Sequence, residues 1–292
     1  MEDNFFNQQQ PPVMNITERV NQKISEGYSY DFDTFFKDGW RIFKQNFWMV
    51  AVGLCIMIIP IILISFVLTP VLGIEQNQPD IRPGAGFSEI MEAVREAQDK
   101  ITVADRLKQS LLNFLYILLL APIQAGFIGV SRKADKGEAS FGDVFQYYRH
   151  STSGRIVIAG LITTFLNVAC NFAFGFLPGA GTFLALITSM VFYYLFLFVY
   201  PLIIFGNASL GEAFSLSFKL FFKKPLPIIG LTILFALIAC SGIIVCCIGI
   251  VLTVAFAPIC NYLLYKYSVG FPEDDREQEA QAHWQDVPPE TL

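Results

Sequence analysis

The chain has 292 residues, 54% of them hydrophobic and only 15% charged, with a mean hydropathy of +0.50. Soluble domains carry about 25% charged residues, so the composition excludes an ordinary soluble globular protein and points to a membrane. The net charge of −5 is set by an acidic C-terminal tail, and no basic field suited to nucleic acid remains.

In chain order, residues 1–27 read as a disordered segment, low in complexity at 8–12, with at most a short helix between Asn15 and Gly27. No cleavable signal peptide is expected, because the first apolar run begins too late. From Asp31 the pattern Phe32, Phe35, Phe36, Gly39, Trp40, Phe43 puts apolar side chains at helical spacing, with Asp33, Lys37, Asp38, Arg41 and Lys44 on the opposite face. This predicts an amphipathic helix over about 31–45, lying in the membrane interface with its basic face near headgroups. An apolar span over about 46–72 follows, long enough to need tilt or a kink at Pro60.

Residues 74–107 form an extracytoplasmic insertion, becoming helical from about Ser88. A second span covers about 109–130 and contains Pro122. The amphipathic pattern then recurs from Ser140, through Phe141, Val144, Phe145 and Tyr148. A third span, about 155–177, turns at 178–181 into a fourth, about 182–206, which contains Pro201. The pattern recurs from Ser209, through Leu210, Ala213, Phe214, Ser217, Phe218 and Phe221. The window 225–266 fits two spans that turn near 246–249, with Pro258 in the last. The tail 269–292 reads as disordered.

The expected fold is therefore all-α: a polytopic membrane domain over 28–268, with six transmembrane helices arranged as three pseudo-repeated hairpins. Each hairpin is preceded by a cytoplasmic amphipathic interfacial helix and carries a late proline in its return span. Ser140 with Asp143 and Ser209 with Glu212 form capping boxes, and Asp31 suits an N-cap. The side chains expected at the lipid interface are Phe32, Phe36, Trp40, Phe43, Phe141, Phe145, Phe214, Phe218 and Phe221. Of the 20 Lys and Arg residues, fifteen fall on the side of the termini and the amphipathic copies, and five lie between Arg82 and Lys108. The positive-inside rule thus puts both termini in the cytoplasm.

Chemistry-bearing groups are few. No charged residue lies inside an expected span, which argues against a proton relay. The two histidines, His150 and His283, fall outside the spans, and no hydrolase or nucleotide-binding motif occurs. The six cysteines lie in apolar segments and read as packing residues. The polar residues of the spans are mainly amides: Asn113, Gln124, Asn167, Asn171 and Asn261. Asn167 and Asn171 share one helix face, either as interhelical glue or as a polar patch on a central cavity.

The unit 32–48, its echo at 213–224 and the ending from Cys247-Ile248-Gly249 to Pro258 resemble a family of six-span bacterial membrane proteins. That family includes the membrane domain fused to some glycerophosphoryl diester phosphodiesterases, and the resemblance covers about 28–268. It implies a bacterial cytoplasmic (inner) membrane and carries no catalytic residue, since the phosphodiesterase activity belongs to a separate soluble barrel. The expectation is a non-enzymatic membrane protein, without a cofactor, that organises or binds lipid or protein partners. The alternative is a carrier or channel for a lipid-like or small solute. The partners expected are the lipid bilayer and a protein within the membrane.

Overall fold

Local chemistry sets where the helices begin. In the computed structural model, which describes residues 14–74, 82, 84, 86–175, 177, 181–241 and 248–274, all the secondary structure is helical. The elements are α1 (Ile16–Glu26), α2 (Phe32–Val71), α3 (Phe87–Asp99), α4 (Val103–Asp135), a 3-10 helix (Phe141–Tyr148), α5 (Ser153–Phe174), α6 (Gly181–Leu195), α7 (Val199–Gly206), α8 (Leu210–Lys223), α9 (Pro225–Ser241) and α10 (Ile248–Ser268). Asp31 Oδ2 accepts from the Thr34 backbone N–H at 3.1 Å. The Ser209 N–H donates to Glu212 Oε2 at 2.9 Å, and the Ser140 N–H to Asp143 Oδ2 at 2.8 Å. The carboxyls of both capping boxes are held below their ordinary range. For Glu212 the cause is the Ser209 hydrogen bonds. For Asp143 burial pushes upward, and the Lys133 ammonium and the Ser140 N–H outweigh it.

Among the described residues, three helices are long and apolar enough to cross a membrane: 103–135, 153–174 and the α6–α7 pair over 183–206. A fourth is added if α8 and α9 count as one bent span, and a shorter apolar stretch covers 58–71 of α2. Phe66, Phe165, Phe183 and Leu186 are exposed outward along these elements. An apolar surface of that kind suits hydrocarbon rather than water.

The three amphipathic copies take three different forms. The first runs without a break into its apolar stretch, so α2 is one helix of 40 residues, about 60 Å long at 1.5 Å per residue. No proline separates its two halves. In the third copy Pro225 follows Lys224, and the residue before a proline is forced off helical geometry. Lys224 sits at φ −140°, ψ 61°, and α9 leaves α8 at 94°. The middle copy winds as a 3-10 helix of 8 residues rather than as the expected α-helix. It lies against α4 where Gly126 and Gly129 leave room. A Cβ on Gly126 would sit 1.9 Å from the Val144 carbonyl oxygen.

Each copy packs on a helix that carries a proline: α2 on α10, the 3-10 helix on α4, and α8 on α7. Those three helices also contact one another. They supply the fully buried part of the bundle, with Ala121, Ile128, Leu202, Ile203, Ile259 and Leu263 inside. The first copy's charged face does not simply point at headgroups. Asp135, at the end of α4, accepts from Arg41, from Lys266 Nζ at 2.6 Å and from Tyr262 Oη at 2.6 Å, while Tyr267 Oη donates to Asp38 at 2.8 Å. This network ties α2, α4 and α10 together at one end.

The flanks are more ordered than expected over their described parts. Residues 16–26, read from sequence as part of a disordered segment, form a docked helix in which Val20 is buried. Its Arg19 Nε donates to the Val269 carbonyl at 3.0 Å, and Thr17 Oγ1 donates to Glu212 at 3.2 Å. Past α10, Val269 and Phe271 are buried, and Arg132 lies 3.9 Å from the Phe271 ring centroid and 2.7 Å from Glu273 Oε2. The packed domain therefore runs to Phe271 rather than ending at 268. Residues 103–107, expected in the insertion, belong to the first turns of α4, whose start is capped by Thr102 with Asp105. Residues 1–13, 275–292 and the turns at 178–180 and 242–247 lie outside the described residues.

Candidate functional site

Amides scattered over three expected spans come together in space. Asn113 and Gln124 from α4, Asn167 from α5 and Asn261 from α10 all line one cavity of about 720 Å³. Hydroxyls of Tyr116, Thr163, Ser189 and Tyr200 join them. Ile117, Phe127, Ile128, Val168 and Phe192 supply an apolar wall. Every one of the twenty lining residues is uncharged. The size falls within the ~300–1,000 Å³ of small-molecule sites, which are apolar with a few placed polar groups.

Close packing builds the wall between α4 and α5. Gly160 lets α5 approach until a Cβ there would meet Ile117 at 2.9 Å and the Tyr200 hydroxyl at 2.7 Å. Asn171, expected beside Asn167 on a polar patch, is not part of the lining; it supports Asn167 from behind. Its Nδ2 donates to Asn167 Oδ1 at 2.7 Å and to the Asn167 carbonyl at 2.8 Å, and Ser189 Oγ donates to Asn167 Oδ1 at 3.3 Å. Asn171 Nδ2 also donates to Ser189 Oγ of α6 at 3.3 Å. Across the cavity, the buried Asn261 Oδ1 has no hydrogen-bond partner among the described residues.

One wall of the cavity is a break in a helix. The sequence places Pro201 inside a continuous span; the helix instead stops at Leu195 and restarts at Val199. Proline lacks the N–H that would bond the carbonyl four residues back, and its ring crowds that carbonyl. The break therefore falls ahead of Pro201, around Leu197. Ser217 of α8, fully buried, spans the gap. Its hydroxyl donates to the Leu195 carbonyl at 2.6 Å and accepts from the Phe198 N–H at 3.3 Å. Phe196 and Leu197, inside the break, line the cavity. The 3-10 helix does something similar at Pro122, where Tyr148 Oη donates to the Leu119 carbonyl. Tyr148 and Ser217 occupy the same place in their copies, eight residues after Ser140 and Ser209. Sequence reading missed both; the shared offset from the cap was the available signal.

The residues expected at the lipid interface divide. Phe32, Phe36, Trp40, Phe141 and Phe218 are exposed, and Phe145, Phe214 and Phe221 are half-buried. Phe43 is a correction: it is only 5% exposed and stacks on Phe256 at 4.5 Å, so it belongs to the core. Trp48 and Phe222, at 77% and 65% exposed, present more apolar surface than most of the residues singled out. His150 bonds Thr152 Oγ1 at 2.8 Å, and its ring meets Tyr147 edge-on outside the cavity; His283 lies outside the described residues.

Among the described residues, the fold and site define an all-helical protein with several helices long and apolar enough to cross a membrane and a neutral, amide-lined cavity. Comparison with family models, with curated proteins and with solved structures finds no match to this chain.

Proposed function

We propose that the chain is a six-span protein of a bacterial cytoplasmic membrane, with both termini and the three amphipathic copies on the cytoplasmic side. It acts without catalysis by binding a lipid-like amphiphile. The observation that carries this reading is the convergence of Asn113, Gln124, Asn167 and Asn261 on one cavity. Polar side chains in spans are costly, face the bundle interior and mark ligand sites. The packing of each copy on a proline-bearing helix supports an internal repeat of three hairpins. The mostly exposed aromatic faces support contact with lipid or with a membrane partner.

The test is native mass spectrometry of the protein held in lipid nanodiscs. A retained amphiphile, lost in Asn167→Leu while the protein stays folded, is the expected result. A co-purifying protein at fixed ratio with an empty cavity overturns amphiphile binding in favour of a scaffold.

A carrier is the second reading, and the break at 196–198 favours it. Discontinuous helices at a midplane site recur in transporters. Flux of the retained amphiphile across sealed vesicles distinguishes carriage from static binding.

A further inference from the structure

The hydrogen-bonding inventory of the cavity constrains what fits. A phosphate entering it finds no cation on the lining, and an unpaired buried charge is strongly disfavoured in an apolar site. The described cations at the packed end are already engaged: Arg41 and Lys266 with Asp135, Arg132 and Lys136 with Glu273. Asn167 has its Oδ1 occupied by Asn171 and Ser189, so its free capacity is the Nδ2 donor pair. Asn261 has the opposite need, an acceptor without a donor. A hydroxyl is both donor and acceptor and satisfies either group; a phosphate ester in its place brings a charge that none of the lining residues neutralises. The lining on α4 runs from Asn113 to Ile128, about 22 Å of helix at 1.5 Å per residue. That is a large part of the ~30 Å hydrocarbon core, with Ile117, Phe192 and Phe127 placed to hold a chain along it.

We propose that the cavity selects an uncharged, hydroxyl-bearing head group on a hydrocarbon tail, of the monoacylglycerol type, and discriminates against its phosphorylated counterpart. This rests on the amphiphile-binding reading above and names the ligand class. The probes are monoacylglycerol and lysophosphatidic acid of the same chain length, which differ by the phosphate alone. Each is titrated into the full-length protein in nanodiscs and followed by native mass spectrometry. Monoacylglycerol is expected to bind at least ten-fold more tightly. Asn261→Leu should weaken it about ten-fold and leave lysophosphatidic acid unchanged. Phe192→Trp, which fills the cavity without removing a polar group, should weaken monoacylglycerol as well, and guards against an Asn261 variant that fails to fold. Equal or tighter binding of lysophosphatidic acid that is lost in Phe192→Trp overturns the neutral-head-group assignment and keeps the binding reading. Absence of saturable binding by either probe overturns both.

Discussion

Replacing Gly126 by Ala tests how the middle amphipathic copy is held. The added Cβ falls 1.9 Å from the Val144 carbonyl oxygen and 2.7 Å from its carbon. Both are backbone atoms, so no side-chain rotation relieves the contact. The 3-10 helix must retreat by more than an ångström, away from Gly129, where Gln146 and Tyr147 now pack. Overpacking of this kind costs about 1–3 kcal/mol. The retreat also strains the Tyr148–Leu119 and Lys133–Asp143 contacts, worth about 1 kcal/mol for an ordinary hydrogen bond. We expect a loss of about 3–4 kcal/mol, read as a shift of the unfolding midpoint in mixed micelles titrated with dodecyl sulfate. Gly154→Ala is the control. A Cβ there meets nothing within 4 Å, and alanine favours a helix by up to ~1 kcal/mol. If Gly126→Ala unfolds within about 0.5 kcal/mol of the parent, the proposed close contact is wrong.

Ser217→Ala leaves the Leu195 carbonyl and the Phe198 N–H without their partner, and at ~1–3 kcal/mol for each unmet group should destabilise by about 2–4 kcal/mol; a wild-type midpoint for this variant would contradict the splint. Asp135→Asn removes the buried carboxylate that Arg41 and Lys266 share while both keep Asp38, and should cost at most about 3 kcal/mol, the low end for a broken buried pair, because the Arg41 side chain is 42% exposed; Lys266→Met in the same background should recover part of it. Asn171→Leu should cost only about 0.6–1.7 kcal/mol, the range for hydrogen bonds between membrane helices, and alter amphiphile retention less than Asn167→Leu does. The lowered carboxyls of Asp143 and Glu212 stabilise their helix starts at every pH above the ordinary carboxylate range, and this support is lost as the pH falls through their lowered values. Amide-exchange protection factors at 141–144 and 210–213, measured stepwise below neutral pH, should therefore stay flat until that acid range; a fall already near pH 6 would point to another group.

What the sequence made legible is what depends on neighbours a few residues apart. Ser209 with Glu212 and Ser140 with Asp143 are recognisable because a capping box is complete within four residues. Charge-free windows mark apolar helices for the same reason, although three to four rather than six are evident as membrane-crossing lengths. The break ahead of Pro201 was half legible: the proline is plain, but its effect lands on Phe196 to Phe198, which carry no signal of their own. The 3-10 winding depends on the room left by Gly126 and Gly129, on another element. The pairing of Arg41 with Asp135 joins residues 94 apart, and a charged face looks the same whether it meets water or an ion partner. Among the amides, their types were readable and their meeting was not. Nothing local distinguishes Asn167, on the cavity, from Asn171, behind it.

Ser217 has a mechanical consequence. A hydrogen bond tolerates only a few tenths of an ångström before it weakens, so α8 and both ends of the broken span move as one piece or lose the bond. α8 also carries Phe222, 65% exposed, while Phe218 sets its ring against Phe196 at 6.0 Å. A push on α8, whether from lateral pressure in a bilayer or from a docking protein, bears through the Ser217 hydroxyl and through the Phe214 and Phe218 rings on the strip of backbone at Phe196 and Leu197. The surface helix is thus a lever with its fulcrum at Lys224, where the chain turns by 94°, and its short arm ends in the cavity wall.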